Sequence, residues 1–258
     1  MADAALITGG AVRLGRAMAL RMAERGSDVV IHYASSDTAA LALAAEIKAL
    51  GVNAATLQAD LLDSGAVAEL VPRAAAALEK PLDVLINNAS IFEYDTLATA
   101  SAESWDRHLD SNLRAPVFLT QAFAAQAPAA GHDGEPMALA NVINMIDQRV
   151  RKLTPEFMTY TLAKAGLWAF TKTAAQALAP RIRVNGIGPG PTLRGVRQSE
   201  EHFANQRKAT ILERGSGPAE ICRAMDFILE SPGLTGQLLC MDGGQHLAWQ
   251  TPDILGPE

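Results

Sequence analysis

A short apolar run, a glycine-rich turn and the start of a segment of helical period follow one another in Ala4-Ala5-Leu6-Ile7-Thr8-Gly9-Gly10-Ala11-Val12-Arg13-Leu14-Gly15. Glycine lets a backbone approach a bound phosphate closely, and the free N–H groups at the start of a helix attract negative charge. The stretch therefore predicts a strand, an anion-binding turn and a helix. Arg13 stands where a dinucleotide-binding turn has its middle glycine, and we expect its cation to lie close to phosphates or to a substrate.

The same alternation of short apolar runs and longer amphipathic stretches continues along the chain. It predicts an α/β fold with a doubly wound, seven-stranded parallel sheet that helices cover on both faces. Gly26 and Gly51 each follow a helical stretch and precede a strand, where a positive φ is expected. The predicted strands are Ala4 to Thr8, Asp28 to Tyr33, Ala54 to Gln58, Val84 to Asn87, Ala140 to Ile146, Ile182 to Ile187 and Leu238 to Met241. The predicted helices are Leu14 to Arg25, Thr38 to Leu50, Ser64 to Leu78, Glu103 to Phe123, Phe157 to Leu178 and Ala219 to Leu229.

No internal repeat, low-complexity linker or change of composition divides the chain, so we expect a single domain over residues 1–258. Two parts lack periodicity. Pro128 to Pro136 predicts an exposed turn, because it is rich in glycine and aspartate. Thr192 to Gly217 is dense in charge and follows the C-terminal end of a predicted strand, where open α/β sheets bind ligands. This second segment is either a substrate loop or a solvated surface loop.

Charge and composition limit the partners. The formal net charge is −6, which argues against a protein that binds the phosphates of nucleic acid. No apolar run reaches the roughly 18 residues that a membrane-spanning helix needs, and no basic leader precedes the first strand. Cys222 and Cys240 lack the paired spacing of a zinc site. We therefore predict a cytoplasmic protein that acts on a small molecule, without a metal ion, a membrane or a nucleic-acid partner.

The end of the second predicted strand indicates which dinucleotide is bound. NAD-binding proteins usually carry an acid about 20 residues after the glycine turn, where it meets the ribose 2′-hydroxyl. Here the strand ends in His32-Tyr33-Ala34-Ser35-Ser36, which offers hydroxyls instead. Ser35 and Ser36 can donate hydrogen bonds to a 2′-phosphate, and His32 can assist, so NADPH is expected rather than NADH. Asp37 either caps the next helix or turns towards the ribose and weakens that preference.

Tyr160 and Lys164 lie four residues apart, on one face of a predicted helix. An ammonium near a phenol lowers the pKa of the phenol, which makes the tyrosine usable for proton transfer near neutral pH. Such a pair alone is usually a surface contact. It gains weight from Asn88, Asp147 and Gly190, because each follows the C-terminal end of a predicted strand and is expected at the same edge of the sheet.

Over nearly its full length the chain resembles the short-chain dehydrogenase/reductase family, because the family's motifs occur in the family's order. They are Thr8-Gly9 with Gly15, Asp60-Leu61, Asn87-Asn88-Ala89, Asn112, Tyr160 with Lys164, Asn185, Pro189-Gly190 and Asp242-Gly243-Gly244. The resemblance implies a single Rossmann domain, a nicotinamide cofactor and, commonly, a homotetramer. Together with the end of the second strand, it predicts NADPH/NADP+ as the cofactor.

The resemblance also implies roles for individual residues. Tyr160 is the expected proton donor, Lys164 binds the ribose and lowers the pKa of the phenol, and Asn112 holds a water in the proton relay. Asp60 would meet the adenine. The expected cofactor-binding residues are Gly9, Arg13, Leu14, Gly15, His32, Tyr33, Ser35, Ser36, Asp60, Leu61, Asn88, Ala89, Ser90, Tyr160, Lys164, Pro189 and Gly190.

One departure from the family pattern indicates the substrate. Thirteen residues before Tyr160, most members have a serine that donates a hydrogen bond to a substrate carbonyl, whereas this chain has Asp147. An ionised carboxylate only accepts hydrogen bonds and would repel a developing alkoxide. It suits an electron-poor C=N group that gains a proton and has N–H donors beside it. We therefore expect Asp147 to be catalytic, together with Tyr160, Lys164 and Asn112.

An aspartate at this place, combined with an arginine in the glycine turn, resembles the pteridine reductase subgroup. The resemblance extends to Ile31-His32-Tyr33 and to Asn88-Ala89-Ser90-Ile91-Phe92. It implies that the Phe92 ring stacks on a pterin, which it holds against the nicotinamide. The expected substrate-binding residues are Arg13, Ser90, Phe92, Asp147 and Tyr160.

Three functions remain open from the sequence. The first is NADPH-dependent reduction of a C=N bond in a pterin or dihydropterin. The second keeps the cofactor but reduces a ketone or a 3-oxoacyl thioester, with Asp147 protonated or turned aside. The third is a protein that senses NADP(H) without catalysis, although a sensor would not need Tyr160, Lys164 and Asn112 together.

Overall fold

Seven parallel strands form the central sheet of the computed structural model, which describes residues 4–195 and 198–249. In chain order they are β1 (Ala4–Ile7), β2 (Asp28–Tyr33), β3 (Ala54–Gln58), β4 (Val84–Asn87), β7 (Ala140–Met145), β8 (Ile182–Pro189) and β9 (Leu238–Met241). In space they follow the order β3, β2, β1, β4, β7, β8, β9, and every adjacent pair is parallel. This order confirms the predicted Rossmann sheet, and it places the change of winding direction between β1 and β4.

Helices cover both faces of the sheet. One face carries α1 (Arg13–Glu24), α2 (Asp37–Ala49) and α8 (Pro218–Glu230). The other carries α3 (Ser64–Leu78), α5 (Ala115–Gln126) and α6 (Met158–Leu178). Two further helices are α4 (Ala102–Leu109) and α7 (Glu200–Lys208), and single turns lie at Asp110–Arg114, Gln148–Val150 and Gln245–Leu247.

Each central strand contributes to two apolar cores, because successive side chains of a strand point to opposite faces. In β1, for example, Ile7 packs into the core under α1, α2 and α8, whereas Leu6 packs into the core under α3, α5 and α6. Both side chains are fully buried. A strand buried on both faces reads as a continuous apolar run, which is why these strands were predictable. Gly26 and Gly51 have φ values of +86° and +89°, as predicted for residues that end helices.

Three predicted segments differ in the structure. The predicted helix Glu103 to Phe123 consists of α4, a π-helical turn at Asp110–Arg114 and α5. The predicted turn Pro128 to Pro136 contains most of a small hairpin, in which β5 (Gly131–His132) pairs antiparallel with β6 (Pro136–Met137). Thr192 to Gly217, predicted to be irregular, contains α7; residues 196 and 197 lie outside the described part. No side chain of α7 is buried, so the sequence has no apolar stripe that would have indicated a helix.

No helix within the described ranges is both long enough and apolar enough to cross a bilayer.

Phe123 tests the packing of α5 on the sheet. Its ring is fully buried between the helix and the sheet, whereas Phe118 on the same helix is 48% exposed. We expect Phe123→Ala to lower the free energy of unfolding by about 3–5 kcal/mol, because it removes apolar contacts and leaves a cavity. Phe118→Ala is the matched control and should cost about 1 kcal/mol or less. Urea denaturation measures both values, and equal losses would contradict the described orientation of α5.

Candidate active site

The glycine turn after β1 presses the start of α1 against the end of β4. A Cβ atom added to Gly15 would lie 2.1 Å from the carbonyl oxygen of Gly9 and 2.7 Å from Nδ2 of Asn88, so only glycine fits there. The Asn88 amide donates hydrogen bonds to the carbonyl oxygens of Thr8 (2.8 Å) and Gly9 (3.1 Å). Val12 precedes α1 without a side-chain cap. The first N–H groups of the helix therefore have no side-chain partner from Val12, and free N–H groups at the start of a helix can bind an anion.

The Thr8 hydroxyl joins the two strand ends from the other side. It accepts hydrogen bonds from the backbone N–H groups of Asn88 (2.9 Å) and Ala89 (3.0 Å). Other predicted cofactor residues have supporting positions. Leu14 and Tyr33 pack against the core under α1, α2 and α8, and Leu61 is buried in the core under α3, α5 and α6. Pro189 is the last residue of β8, and Gly190, which follows it, lies against Asp242.

Arg13 connects the glycine turn to the charged segment. Its backbone has a φ of +54°, the left-handed conformation that explains why glycine is usual at this place. The guanidinium donates hydrogen bonds to the carbonyl oxygens of Leu193 (3.2 Å) and Arg194 (3.0 Å). The side chain therefore links the turn to residues 193 and 194, at the start of the predicted substrate loop.

His32 has a different position from the one expected. The ring is 1% exposed, Nδ1 accepts a hydrogen bond from the Gly9 N–H (3.0 Å), and Nε2 lies 3.0 Å from the carbonyl oxygen of Ala59. Burial lowers the pKa of His32 from 6.5 to about 4, so the ring is neutral and Nε2 carries the proton. Both nitrogens are occupied, which corrects the expectation of direct help with a 2′-phosphate. His32 supports the glycine turn from beneath.

A cavity of about 610 Å³ opens beside the end of β2, and Ser35, Asp60 and Arg107 are among its lining residues. Ser35 and Asp60 were predicted as cofactor-binding residues, whereas Arg107 was not identified from the sequence. Its guanidinium forms a two-pronged ion pair with Glu93, at 2.8 and 3.3 Å. Asp37 is the first residue of α2, where its charge favours the helix start.

The N-terminal part of α6 carries Tyr160 and Lys164 to the C-terminal end of β7, where Asp147 follows the strand. The Tyr160 hydroxyl donates a hydrogen bond of 2.9 Å to Oδ2 of Asp147. Oδ1 of Asp147 accepts a second one from the backbone N–H of Arg149 at 2.8 Å, which fixes the orientation of the carboxylate. Nζ of Lys164 donates to the carbonyl oxygen of Met145 (2.8 Å) and lies 5.7 Å from the centre of the Tyr160 ring.

Burial and mutual repulsion set the protonation states of this group. Burial raises the pKa of Asp147, and the hydrogen bonds from Arg149 and Tyr160 only partly oppose it. The pKa of Tyr160 lies well above 10, first because of burial and then because of the Asp147 charge. Burial also lowers the pKa of Lys164 to about 8. In this arrangement the phenol keeps its proton, and its partner Asp147 also has a raised pKa. That Lys164 lowers the pKa of the phenol stays a prediction.

Asn112 lies in the π-helical turn and is fully buried. Its side chain accepts a hydrogen bond from the backbone N–H of Ile91 (2.9 Å) and donates one to the Ile91 carbonyl oxygen (2.8 Å). Asn112 thereby holds the segment that carries Ser90 and Phe92, a role that the sequence did not predict.

Phe92 belongs to an aromatic cluster beside Tyr160. Its ring stacks on Phe157 with centroids 4.3 Å apart and planes 6° apart, and its edge contact with Tyr160 has a centroid distance of 4.7 Å. The guanidinium of Arg149 lies 4.9 Å from the centre of the Phe157 ring. Phe92 is 44% exposed, so the ring presents apolar surface next to the Tyr160–Asp147 pair.

A buried polar network holds this cluster from behind. Asp95 accepts hydrogen bonds from the backbone N–H of Thr159 (3.2 Å) and from the Thr159 hydroxyl. The same hydroxyl lies 2.7 Å from Nδ1 of His108, whose Nε2 accepts the Glu93 N–H (3.1 Å). Burial lowers the pKa of His108, so the neutral ring can accept at Nε2 and donate at Nδ1. The network ties the residue after Phe92 to the residue before Tyr160.

Sequence reasoning missed this network because its partners lie far apart along the chain. Thr159 is 64 residues from Asp95 and 51 from His108. Aspartate and histidine are seldom buried, so knowing that Asp95 and His108 are buried would have indicated a polar network. The sequence pattern did not show that they are buried.

Thr159→Val tests the network. The change removes the hydroxyl while keeping the side-chain shape, and it leaves His108 and Asp95 each one partner short in a buried place. An unsatisfied buried polar group costs about 1–3 kcal/mol, and we expect the free energy of unfolding to fall by that amount. Thr159→Ser keeps the hydroxyl and is the control, with less than half of that loss. Urea denaturation gives both values; the same loss in both variants would rule out the hydroxyl as the link.

In the described part of the chain, no three His, Cys, Asp or Glu side chains gather where they could hold a metal ion. The candidate site therefore consists of the glycine turn, the cavity beside β2, the Tyr160–Asp147 pair with Lys164, and the aromatic cluster around Phe92.

Comparison with known proteins places this site in a family. Residues 10–246 match a protein-family model described as enoyl-(acyl carrier protein) reductase. A crystal structure of FolM alternative dihydrofolate reductase 1 from Brucella suis in complex with NADP has a TM-score of 0.91 and 42% identity, covering 98% of both chains. The corresponding protein from Brucella canis, also complexed with NADP, has a TM-score of 0.90 and 43% identity, over 98% of this chain and 97% of that one.

A curated relative is similar to this chain over nearly its full length. The 3-oxoacyl-(acyl-carrier-protein) reductase FabG of Staphylococcus aureus strain Mu50 is 30% identical over 252 residues, which cover 96% of this chain and 99% of the relative. With the Rossmann sheet, the glycine turn and the Tyr160/Lys164 pair in place, these matches show that the chain belongs to the short-chain dehydrogenase/reductase family and is an oxidoreductase.

Proposed function

We propose that this protein reduces a C=N bond of a dihydropterin with NADPH, as pteridine reductases do. The observation that carries the proposal is the hydrogen bond of 2.9 Å from the Tyr160 hydroxyl to the Asp147 carboxylate, at the place where the family usually has a serine. The similarity to the two FolM alternative dihydrofolate reductases supports the same substrate class.

The chain fits NADPH at three points. Gly9 and Gly15 leave a cradle that any Cβ would fill, next to the uncapped start of α1, which suits a pyrophosphate. Ser35 and Ser36 stand at the end of β2 without an acid at the strand end, which favours a 2′-phosphate over a free hydroxyl. Asp60 and the lining of the cavity beside β2 would hold the adenosine. The FolM structures contain NADP, which agrees with this assignment.

When bound, NADPH supplies a hydride to the carbon of the C=N bond, and the nitrogen must then gain one proton. Tyr160 is a neutral phenol that donates to Asp147, and the raised pKa of Asp147 lets the carboxyl carry a proton closer to neutral pH than an ordinary aspartate. The pair can therefore hold one transferable proton beside the substrate nitrogen. After transfer, the solvent returns a proton to the pair, so the overall change is one hydride and one proton added to C=N.

Other residues position this chemistry. Lys164, whose ammonium donates to the Met145 carbonyl oxygen, would bind the ribose of the cofactor. Asn112 fixes Ile91 and with it the segment of Ser90 and Phe92. The exposed surface of Phe92 would stack on the flat pterin, an interaction worth about 0.5–1.5 kcal/mol beyond the area buried. Arg13, which links the glycine turn to residues 193 and 194, would meet the cofactor phosphates or the substrate from that side.

A carbonyl reductase is the alternative that a specific observation favours. Because its pKa is raised, a protonated Asp147 could donate a hydrogen bond to a ketone or 3-oxoacyl oxygen as a serine does. The FabG relative is named for that reaction. The third hypothesis, a sensor without catalysis, loses its basis because the chain belongs to a family of oxidoreductases. A homotetramer, a cytoplasmic location and a substrate loop within Thr192 to Gly217 stay predictions.

His32→Ala separates support of the turn from direct contact with the cofactor. Loss of the acceptor for the Gly9 N–H should raise the KM of NADPH and NADH alike, roughly fivefold to tenfold for about 1–1.4 kcal/mol. Ser35→Ala is the comparison and should raise the KM of NADPH alone. Initial rates with each dinucleotide measure both effects. A His32 variant that lost affinity only for NADPH would indicate a direct phosphate contact.

Asp147→Ser tests the reaction. We expect kcat/KM for a 7,8-dihydropterin to fall roughly 100-fold or more, because the transferable proton of the pair is lost, whereas carbonyl substrates should gain from the serine hydroxyl. Asp133→Ser, in the exposed hairpin loop, is the control and should change neither rate. NADPH oxidation followed optically measures all three proteins. Unchanged pterin turnover in the Asp147 variant would remove the basis of the proposed function.

A further inference from the structure

Arg149 is a cation held beside the reacting pair but not used in the proton transfer. It follows Asp147 by two residues, on the turn Gln148–Val150, and its backbone N–H donates to the Asp147 carboxylate at 2.8 Å. Two consecutive trans peptides span at most about 7.6 Å between Cα atoms, so the start of the Arg149 side chain cannot lie far from Asp147. The turn therefore fixes where this side chain begins.

The guanidinium is held in place by an uncharged partner and a ring. One of its nitrogens donates to the Thr154 hydroxyl at 2.6 Å, and its carbon lies 4.9 Å from the centre of the Phe157 ring. Phe157 in turn stacks on Phe92 at 4.3 Å. A guanidinium has five N–H donors, and this arrangement engages few of them. Since Arg149 is half-buried, the remaining donors can reach solvent or a ligand.

Arg149 has no carboxylate as an ion-pair partner within the described ranges. The ion pairs found there within 4.0 Å join other residues, for example Arg107 with Glu93 and Arg214 with Glu220. Other cations near the site are engaged with backbone: Arg13 donates to residues 193 and 194, and Arg194 donates to the Gln198 carbonyl oxygen. Arg149 is thus the guanidinium placed next to the Phe92–Tyr160 surface with donors to spare.

The positive charge of Arg149 affects the two acids that would face the substrate. The positive charge of Arg149 lowers the pKa values of both Asp147 and Tyr160, which means that its potential extends over the reacting atoms. An anionic substituent near Asp147 would otherwise be repelled by the carboxylate. A planar guanidinium offset to one side, stacked on a ring that adjoins the heterocycle site, is suited to a carboxylate at the end of a substrate side chain.

We propose that Arg149 binds a carboxylate of the substrate's side chain, so that the preferred substrate is a dihydropterin with an anionic tail, as in a dihydrofolate, rather than a dihydropterin with a neutral tail. This inference rests on the proposed function, and it goes beyond it by naming the substrate class and the residue that selects it.

The experiment compares 7,8-dihydrofolate, which carries two tail carboxylates, with 7,8-dihydrobiopterin, whose tail is neutral, at saturating NADPH. In Arg149→Gln we expect the KM of dihydrofolate to rise at least tenfold more than the KM of dihydrobiopterin. Arg149→Lys should recover part of the loss, because it keeps the charge but not the planar fork. In the wild type, added salt should raise the KM of dihydrofolate more than that of dihydrobiopterin, and the difference should shrink in Arg149→Gln.

Arg151→Gln is the matched control. It removes the same charge two residues further along, from a side chain that lines a separate cavity with Arg223 and His246. It should leave the ratio of the two KM values unchanged. An equal effect of Arg149→Gln on both substrates would overturn the inference, because it would indicate a general effect on Asp147 or on folding.

Failure of the proposed function has a different signature. If the wild type reduces neither compound, the reductase assignment is wrong. The affinities of the wild type and of Arg149→Gln for dihydrofolate, measured by calorimetry with NADP+ present, then decide the inference by themselves. Tighter binding by the wild type supports a carboxylate site at Arg149, and equal or absent binding overturns it.

Discussion

The close approach of three backbone segments at the edge of the sheet is the constraint on which the site depends. Gly15, Gly9 and the Asn88 side chain lie so near one another that no Cβ fits between them. The approach joins the ends of β1 and β4 at the change of winding direction, and the Thr8 hydroxyl and the His32 ring hold it from two sides. Because the chain leaves β4 directly into Asn88, the same contact fixes the start of the segment that leads to Phe92.

The second half of the site consists of Asp147, Tyr160 and Lys164 at the same edge of the sheet, and burial determines their pKa shifts. β7 ends beside β4 and delivers Asp147, while α6 delivers Tyr160 and Lys164 onto the same edge. Low hydration sets their protonation: it raises the pKa values of Asp147 and Tyr160 and lowers that of Lys164, so each group is pushed towards its neutral form. The positive charge of Arg149 partly opposes this for the two acids. Burial therefore makes the ionised forms of Asp147, Tyr160 and Lys164 less favourable than they are in water.

The sequence predicted the features that depend on residues close together along the chain. Strands such as β1 and β4 are buried on both faces and read as apolar runs, and the glycine turn and the Tyr160/Lys164 spacing are contiguous or nearly so. It did not predict what depends on distant partners. The position of His32 is set by residues 23 and 27 positions away, and the rise in the pKa of Tyr160 is set first by burial and then by a carboxylate 13 positions away. Helix α7 was not predicted because it buries no side chain, so its sequence lacks the periodic apolar residues that indicate a helix.

Arg207 gives the segment from Pro191 to Ser216 a property of its own. Its guanidinium donates to the carbonyl oxygens of Pro191, Gly215 and Ser216, and a Cβ on Gly215 would lie 2.3 Å from the Pro191 oxygen. The two ends of the segment are thus fastened to each other. Closing a loop whose ends already touch depends only weakly on the number of residues inside it. Arg207 itself lies inside the segment, so an exchange that keeps this arginine leaves the two ends joined, and the other residues can then change in number at little cost in loop-closure entropy.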